Sequence, residues 1–446
     1  MLNIVTRGAI TLLMLLSGAG APLTIASENR TGSNPSADDT PIVYVVQRGD
    51  TLLDIAKKYL IEIPAYRIVQ RENRVGSPAL LLTGKKLLIR RSLLKHTAAE
   101  ARILSVRGNV QIADNGGSVR ARNGQIVSEG SRLSTSDSSF VTLSLSNGSQ
   151  ISLPSNSNVR IRLLRRYTLG GSLDYDFDVI KGGSRSMVTP LKSSDDRYRV
   201  RTPKAVSAVR GTDFQSRHDA ALKQDFAEVI DGQLSVDDGV RAVTDLPAGE
   251  GLALTDDGNA IRETLLPEPK LIEPGKLQVD PDVIFAASPS AGENGYRFLL
   301  AADAGFVDQV ADIVTKENNA RFPDIGNGNY FVRARSISAN GLQGKPVTFG
   351  FKRRLNGVKG SSNAQANGYG FKWLSEGDGV RQFHFQMFRG TPNGLAMVDE
   401  TALDKAEITI SDLPAGDYFW RVGAVQFLDN EVTTNWTDFE KLNVAP

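Results

Sequence analysis

The chain has 446 residues, 40% of them hydrophobic and 23% charged, which allows several folded domains and excludes a chain that is disordered throughout. Lys and Arg total 52 against 50 Asp and Glu, and the resulting net charge of +2 argues against a strongly basic nucleic-acid-binding surface. There is no cysteine, which excludes disulfides, thiolate metal sites, cysteine nucleophiles and lipidation at an N-terminal cysteine, and only three histidines are present.

The N-terminus has the layout of a secretory signal peptide. Arg7 precedes an apolar run at residues 9–16, and small residues follow it up to a cleavage position after Ala26. An uncleaved membrane anchor over residues 8–27 is the alternative, which the glycines and proline of this stretch disfavour. In either case the rest of the chain lies outside the cytoplasm. We expect an exported protein of the periplasm or cell envelope, with a polar linker at 27–40 and no membrane span after signal removal.

The first predicted module has the order strand, helix, helix, strand. Residues 44–46 are aromatic or β-branched and predict a strand. Residues 52–59 have apolar side chains at helical spacing, behind a cap at Thr51 or at the residue before it. A second helix is expected from about residue 65 to residue 73, and residues 87–89 predict the return strand.

This module resembles a LysM domain. Two stretches carry the resemblance: YVVQRGDTLLDIAKKY, from Tyr44 to Tyr59, and LLTGKKL, from Leu81 to Leu87. The resemblance implies binding of N-acetylglucosamine-containing glycans, notably peptidoglycan, in a groove between the loop entering the first helix and the loop leaving the second. The glycan-binding residues that it implies in this chain are Gly49, Asp50, Thr51, Leu52, Asn73, Leu80, Leu81, Leu82 and Thr83.

The same module is basic. Between Val43 and Arg91 there are ten Lys or Arg against four Asp or Glu. A positive module suits the negatively charged stem peptides of peptidoglycan. The alternative is that these charges form an ordinary solvated helix face.

The middle of the chain, from Ala101 to about Thr264, predicts only β-structure. Short alternating strands are separated by turn pairs such as Asn147-Gly148. This region resembles the FecR domain, most specifically in RTPKAVSAVRGTDF from Arg201 to Phe214. The resemblance implies a periplasmic β domain. Members of that family signal through a cytoplasmic N-terminal segment. We expect the few residues before the apolar run to leave no room for one, so signalling is not carried over.

Two charged stretches in this region require an explanation. Asp174, Asp176 and Asp178 alternate, which places three carboxylates on one face of a strand. They either pair with a nearby arginine-rich strand, the simpler interpretation, or collect a hard cation such as Ca²⁺. The arginine strand itself is predicted at a sheet edge, with its charged face in solvent. Its arginines are Arg160, Arg162, Arg165 and Arg166.

The last third contains an internal repeat of about 88 residues, a length that suits one β-sandwich per copy. Residues 324–333 align without gaps with residues 412–421. Tyr418 follows a Leu-Pro-x-Gly turn in a tyrosine-corner arrangement, and Trp373 is predicted to pack in the same core. The two copies resemble fibronectin type III modules. His384 lies on an alternating strand and is interpreted as a packed or half-exposed side chain, not a ligand.

No catalytic motif accompanies these modules. The sequence lacks a nucleophile elbow, a His-Glu-x-x-His pair and a phosphate-binding loop. The Ser-x-x-Lys match at residues 92–95 lacks its partner motifs. We therefore predict a non-enzymatic cell-envelope protein without cofactor or metal, which binds peptidoglycan and an unknown envelope protein but no nucleic acid. The alternatives are a membrane-anchored FecR-like sensor and an accessory protein of peptidoglycan hydrolysis.

The predicted fold class is mainly β and multidomain: a small βααβ LysM module, an all-β FecR-like domain and two β-sandwich modules. The predicted segments are the signal peptide at 1–26, a linker at 27–40, LysM at 41–92, a linker at 93–100, the FecR-like domain at 101–265, a Pro-rich linker at 266–274, a fibronectin type III-like module at 275–354, a linker at 355–367 and a second such module at 368–446.

Overall fold

A computed structural model describes residues 39–114 and 116–445, so the predicted signal peptide and nearly all of the linker at 27–40 lie outside the described residues. The described chain is mainly β and multidomain, as predicted. One helical module comes first, and sheets follow to the end of the described residues.

The first module has the predicted order of elements. Strand β1 (Ile42–Val45) pairs antiparallel with β2 (Lys86–Ile89). Between them lie α1 (Leu52–Tyr59), a short 3₁₀ turn (Ile63–Ala65) and α2 (Tyr66–Glu72). The inward faces of the helices and of the sheet form one small core.

The middle domain contains eighteen strands. They are β3 (His96–Ala98), β4 (Ala101–Arg107), β5 (Val110–Asp114), β6 (Gly117–Arg120), β7 (Ile126–Val127), β8 (Arg132–Thr135), β9 (Phe140–Leu145), β10 (Gln150–Leu153), β11 (Asn158–Tyr167), β12 (Leu173–Met187), β13 (Arg197–Arg201), β14 (Val206–Val209), β15 (Asp213–Asp219), β16 (Gln224–Asp231), β17 (Gln233–Asp237), β18 (Thr244–Pro247), β19 (Glu250–Leu254) and β20 (Ala260–Thr264).

These strands form two sheets that share one long strand. The N-terminal half of β12 lies between β11 and β13 in the first sheet, and its C-terminal half lies between β10 and β15 in the second. The first sheet continues through β14, β17 and β18, and the second through β16, β19 and β20. Alternating apolar residues of both sheets fill the space between them.

The arginine-rich strand is not at an edge. β11 bonds to β12 on one side and to β8 and β3 on the other, so the prediction of an edge strand is wrong. The other part of the prediction, a charged face in solvent, agrees with the structure for Arg160, Arg162 and Arg166, which are exposed. Arg165 is half-buried and donates to Glu129, with Nε–Oε2 at 2.8 Å.

The three alternating carboxylates of β12 pair with arginines of the strands on both sides. Asp174 and Asp176 are fully buried, and β13 runs parallel beside them with its own arginines. Arg199 Nη2 lies 2.8 Å from Asp176, and Arg162 of β11 lies 4.0 Å from Asp176 and 3.9 Å from Asp178. The predicted pairing with the β11 arginines is present, and the RYRVR strand at 197–201 supplies further partners to Asp174 and Asp176.

The last third forms two β-sandwiches. The first contains β21 (Lys270–Leu271), β22 (Val283–Ser288), β23 (Glu293–Ala301), β24 (Gln309–Thr315), β25 (Asn319–Phe322), β26 (Gly328–Ser338) and β27 (Val347–Arg353). The second contains β28 (Gly357–Gln365), β29 (Gly368–Glu376), β30 (Val380–Arg389), β31 (Val398–Leu403), β32 (Glu407–Ser411), β33 (Gly416–Leu428), β34 (Glu431–Trp436) and β35 (Glu440–Val444).

The sequence repeat is a structural repeat. In each sandwich a three-stranded sheet faces a larger one, whose strand order is β24-β23-β26-β27 in the first copy and β31-β30-β33-β34 in the second. Tyr418 donates to Pro414 O at 2.7 Å, which is the predicted tyrosine corner, and Tyr330 makes the equivalent bond to Gly326 O at 3.2 Å. Trp373 lies in the core of the second sandwich, as predicted.

Three predicted linkers contain regular structure instead. The stretch at 93–100 includes β3, which pairs with β11, and the Pro-rich stretch includes β21, which pairs with β22. The expected loose join at 355–367 is largely β28, which pairs with β29 along its whole length. Its serines and asparagines are typical of a loop. They are compatible with a strand here because most of β28 is exposed, so these side chains do not have to be apolar.

Candidate glycan-binding site

The loop that enters α1 is held by two side chains. Thr51 is the N-cap, and its Oγ1 accepts from Asp54 N at 3.1 Å. Asp50 instead accepts from the Tyr44 hydroxyl and from Gln47 N, both at 2.6 Å, which fastens the loop to β1. Burial and this bond to Asp50 raise the pKa of the Tyr44 hydroxyl, which therefore stays a hydrogen-bond donor at neutral pH. Gly49 has φ of +87°, a left-handed conformation that favours glycine.

The second loop lies directly against the first. Leu52 N donates to Pro78 O at 2.8 Å, and this bond joins the start of α1 to the segment that follows α2. Gly84 N also donates to Val46 O at 2.8 Å. The two stretches that the sequence assigned to one groove are thus adjacent in the structure.

The predicted leucines divide into two kinds. Leu52 is buried and Leu81 is half-buried against the module core. Leu80 and Leu82 are 80% and 77% exposed, and Leu53 of α1 is also exposed. Exposed aliphatic side chains beside the backbone groups of two joined loops provide what an N-acetylated sugar needs, namely apolar contact for the methyl group and polar partners for the amide.

Asn73 has a structural position. It is the C-cap residue of α2, and its Nδ2 donates to Val69 O at 2.8 Å and to Leu88 O at 2.9 Å. Its Oδ1 accepts from Leu88 N at 2.7 Å. The side-chain amide therefore holds the end of α2 against β2, the two elements that the second loop connects. Thr83, at the far end of that loop, is exposed.

Not all of the positive charge of this module faces solvent. Arg91 is 4% exposed, and it donates to Thr40 O at 3.0 Å and to Asp195 O of the middle domain at 2.6 Å. Burial and the neighbouring Arg197 lower its pKa from the ordinary value. Arg90 pairs with Glu72 at 2.6 Å. These two arginines contribute to docking and folding rather than to a surface for an anionic partner.

The core of the small module is completed by the middle domain. Tyr167, the last residue of β11, and Leu169, in the turn that follows, belong to the same apolar cluster as Leu52 and Leu87. Thr168 N also donates to Lys95 O at 2.9 Å, and Lys95 N donates to Tyr59 O at 2.7 Å. This docking was not predictable from the sequence, because nothing local distinguishes an apolar residue that packs on its own domain from one that packs on a neighbour.

The charged groups of the described residues offer no metal centre. Within residues 39–114 and 116–445 no group of three or more His, Asp or Glu side chains is arranged to hold a metal ion. The same residues contain no helix of the length and apolarity that a membrane span requires.

Two family models match parts of the chain. Residues 44–90 match the LysM domain and residues 131–235 match the FecR protein family. Both ranges lie inside the module bounds predicted from the sequence, and the two resemblances are confirmed. These families are non-catalytic binding or sensor domains. No curated protein matches the chain.

Solved structures resemble the chain only weakly. A protein of Parabacteroides distasonis described as an anti-sigma factor is 16% identical, with a TM-score of 0.26; the match covers 30% of this chain and 59% of that one. The FN1–FN3 domains of chicken CNTN1 are 14% identical over 55% of this chain and 95% of theirs, with a TM-score of 0.20. Two fibronectin type III domains of chicken tenascin are 13% identical over 40% of this chain and 98% of theirs, with a TM-score of 0.19. Similarity at this level decides nothing about function.

Proposed function

We propose that this is a non-enzymatic protein of the bacterial cell envelope that binds peptidoglycan glycan strands through its LysM module. The observation that carries the proposal is the bond from Leu52 N to Pro78 O, which unites the two loops beside the exposed Leu80 and Leu82. Apolar contact from these leucines and hydrogen bonds from the loop backbones would hold the N-acetyl groups. Asn73 would position the second loop and would not touch the sugar.

The β modules would act as a rigid scaffold with surfaces for protein partners. Each boundary between neighbouring modules contains specific polar contacts, such as Arg107 with Asp308 at 2.9 Å and Lys352 with Glu431 at 2.6 Å. A chain connected in this way would hold its protein-binding surfaces at a fixed distance from the wall.

Retention on insoluble peptidoglycan tests the proposal. We expect the double variant Leu80→Asp, Leu82→Asp to be retained at least ~10-fold less strongly than the wild type, because it exchanges apolar contact for two negative charges. Leu374→Asp is the matched control, since Leu374 is 79% exposed but lies in the second sandwich. Equal retention of the double variant and the control would contradict glycan binding by this site.

The FecR match favours a second candidate, a membrane-anchored sensor that relays a periplasmic signal. N-terminal sequencing of the protein isolated from cells separates the two. A mature chain that begins at Ser27 would contradict the anchored sensor, whereas an intact Met1 in the membrane fraction would support it.

A further inference from the structure

A cavity lined by arginines lies between the middle domain and the first sandwich. Its walls come from the outer face of the second sheet of the middle domain and from the facing β23 and β26 strands of the sandwich. The guanidinium groups that line it are those of Arg185, Arg217, Arg297, Arg333 and Arg335.

Three of these arginines have carboxylate partners. Arg185 pairs with Asp213 at 2.7 Å, Arg217 with Glu228 at 2.9 Å, and Arg297 with Asp312 at 2.6 Å. Each of these carboxylates neutralises one guanidinium. The remaining two positive charges, those of Arg333 and Arg335, are the ones that need explanation.

Arg333 and Arg335 have only neutral hydrogen-bond partners among the described residues. Arg335 is 3% exposed and donates to Gly344 O at 3.2 Å; with the Gln215 amide oxygen turned towards it, its two Nη atoms reach that oxygen at 2.9 and 3.0 Å. Arg333 Nε donates to Thr348 Oγ1 at 3.2 Å, and its Nη1 is buried without a partner.

The sheet register makes this arrangement unfavourable without a compensating charge. Arg297 and Arg335 are direct cross-strand neighbours, and like charges in that position repel each other. Burial and the neighbouring Arg185 lower the pKa of Arg333 to about 9, against the opposing effect of Asp213 and Asp303. Asp303 already accepts from Val307 N and Asp308 N, at 3.1 and 2.7 Å.

A further polar group in the cavity wall also lacks a partner. The Arg217 Nε is buried without a hydrogen bond, and Arg217 lines the cavity on the same face of the sheet as Arg185. Buried donors without partners are rare in folded proteins and often mark an ion or water that belongs there. The space open to the centre of a water molecule is about 30 Å³, which is room for one small oxyanion and too little for a sugar or a nucleotide.

We propose that this cavity binds one small oxyanion, of the phosphate or sulfate type, which locks the middle domain to the first sandwich. Arg333 and Arg335 supply the positive charge from the sandwich, and Arg217 supplies a donor from the middle domain. The anion completes the interface because its ligands come from both sides. The second sandwich lacks the site, since Gly423 replaces Arg335 at the equivalent position of the repeat.

Thermal unfolding and calorimetric titration of the full chain with inorganic phosphate or sulfate test the proposal, with chloride at matched ionic strength as the reference. We expect both oxyanions to raise the unfolding temperature above that in chloride and to bind with a stoichiometry of one. Arg333→Gln should weaken binding about tenfold or more, because it removes a charged donor. Arg421→Gln, at the equivalent position of the second sandwich, is the matched control and should bind as the wild type does.

A second variant keeps the test independent of any folding defect in Arg333→Gln. Gln309 lines the cavity with an unpartnered Oε1, and Gln309→Glu places a resident carboxylate there. This variant should unfold at a higher temperature in chloride and no longer respond to phosphate. The proposal is overturned if phosphate and sulfate act no differently from chloride on the wild type, if Arg421→Gln loses as much affinity as Arg333→Gln, or if Gln309→Glu keeps the wild-type response.

Discussion

The two sandwiches have the same strand plan but use the outer face of their larger sheet differently. In the first copy, Arg297 and Asp312 form a buried ion pair under the middle domain. At the equivalent positions of the second copy, His384 bonds to Asp399, whose side chain is 51% exposed. The repeat therefore keeps the apolar core and the tyrosine corner, while the outer face changes according to what covers it. Charged residues at equivalent positions can therefore contribute very different amounts to the free energy of unfolding.

The largest expected difference concerns these two carboxylates. Asp312→Asn should lower the free energy of unfolding of the first sandwich by ~3–5 kcal/mol, because it leaves Arg297 charged, buried and unpaired. Asp399→Asn should cost less than ~1 kcal/mol, because solvent screens the exposed pair. Chemical denaturation followed by circular dichroism measures both. Similar losses of unfolding free energy in the two variants would show that burial under the middle domain does not determine how much the ion pair stabilises the fold.

The two tyrosine corners provide a second comparison between the sandwiches, because they differ in burial and in hydrogen-bond length. Tyr418 is fully buried and bonds at 2.7 Å, whereas Tyr330 is only partly buried and bonds at 3.2 Å. Tyr418→Phe should cost ~1–2 kcal/mol and Tyr330→Phe ~0.5 kcal/mol, because only the first leaves a well-bonded carbonyl without its donor in a dry site. Unfolding curves of the two variants and the wild type give these values. A larger loss for Tyr330→Phe would reverse the expected order.

The smallest expected effect is a dependence on pH in the second sandwich. The bond from His384 lowers the pKa of Asp399, so this carboxylate stabilises the fold above its unfolded pKa of about 3.9, and the stabilisation is lost as the pH falls through the lower folded value. The stability difference between wild type and Asp399→Asn should therefore shrink below about pH 4. All three tryptophans lie in this sandwich, so their fluorescence reports its unfolding alone. A difference that stays constant between pH 6 and pH 3 would contradict the assignment.

Local patterns were enough to predict the elements of the small module and the repeat. The apolar spacing in residues 52–59 and the cap at Thr51 depend on near neighbours in the chain, and α1 begins where this spacing predicts. The same holds for Tyr418, whose partner is four residues away.

Charge partners from distant strands were not predictable in this way. Asp176 also pairs with Arg199 and Arg201 of β13, because β13 runs parallel beside β12, and an alternation pattern does not specify which strand lies alongside. Arg91 counts as a surface charge in the sequence, yet it is buried and donates to Asp195 O of the middle domain. At the candidate glycan site the loops were identifiable from the LysM resemblance, but the inward position of Leu81 and the outward positions of Leu80 and Leu82 depend on packing that the sequence does not show.

The sharing of Tyr167 and Leu169 with the first module has a mechanical consequence. Because the core of the LysM module is completed by residues of the middle domain, the module cannot rotate freely about a hinge. A force applied to the LysM module is therefore transmitted directly to β11. Separating the two bodies would expose apolar surface on both. We therefore expect the connection to be rigid under force and to separate only when the LysM module itself unfolds.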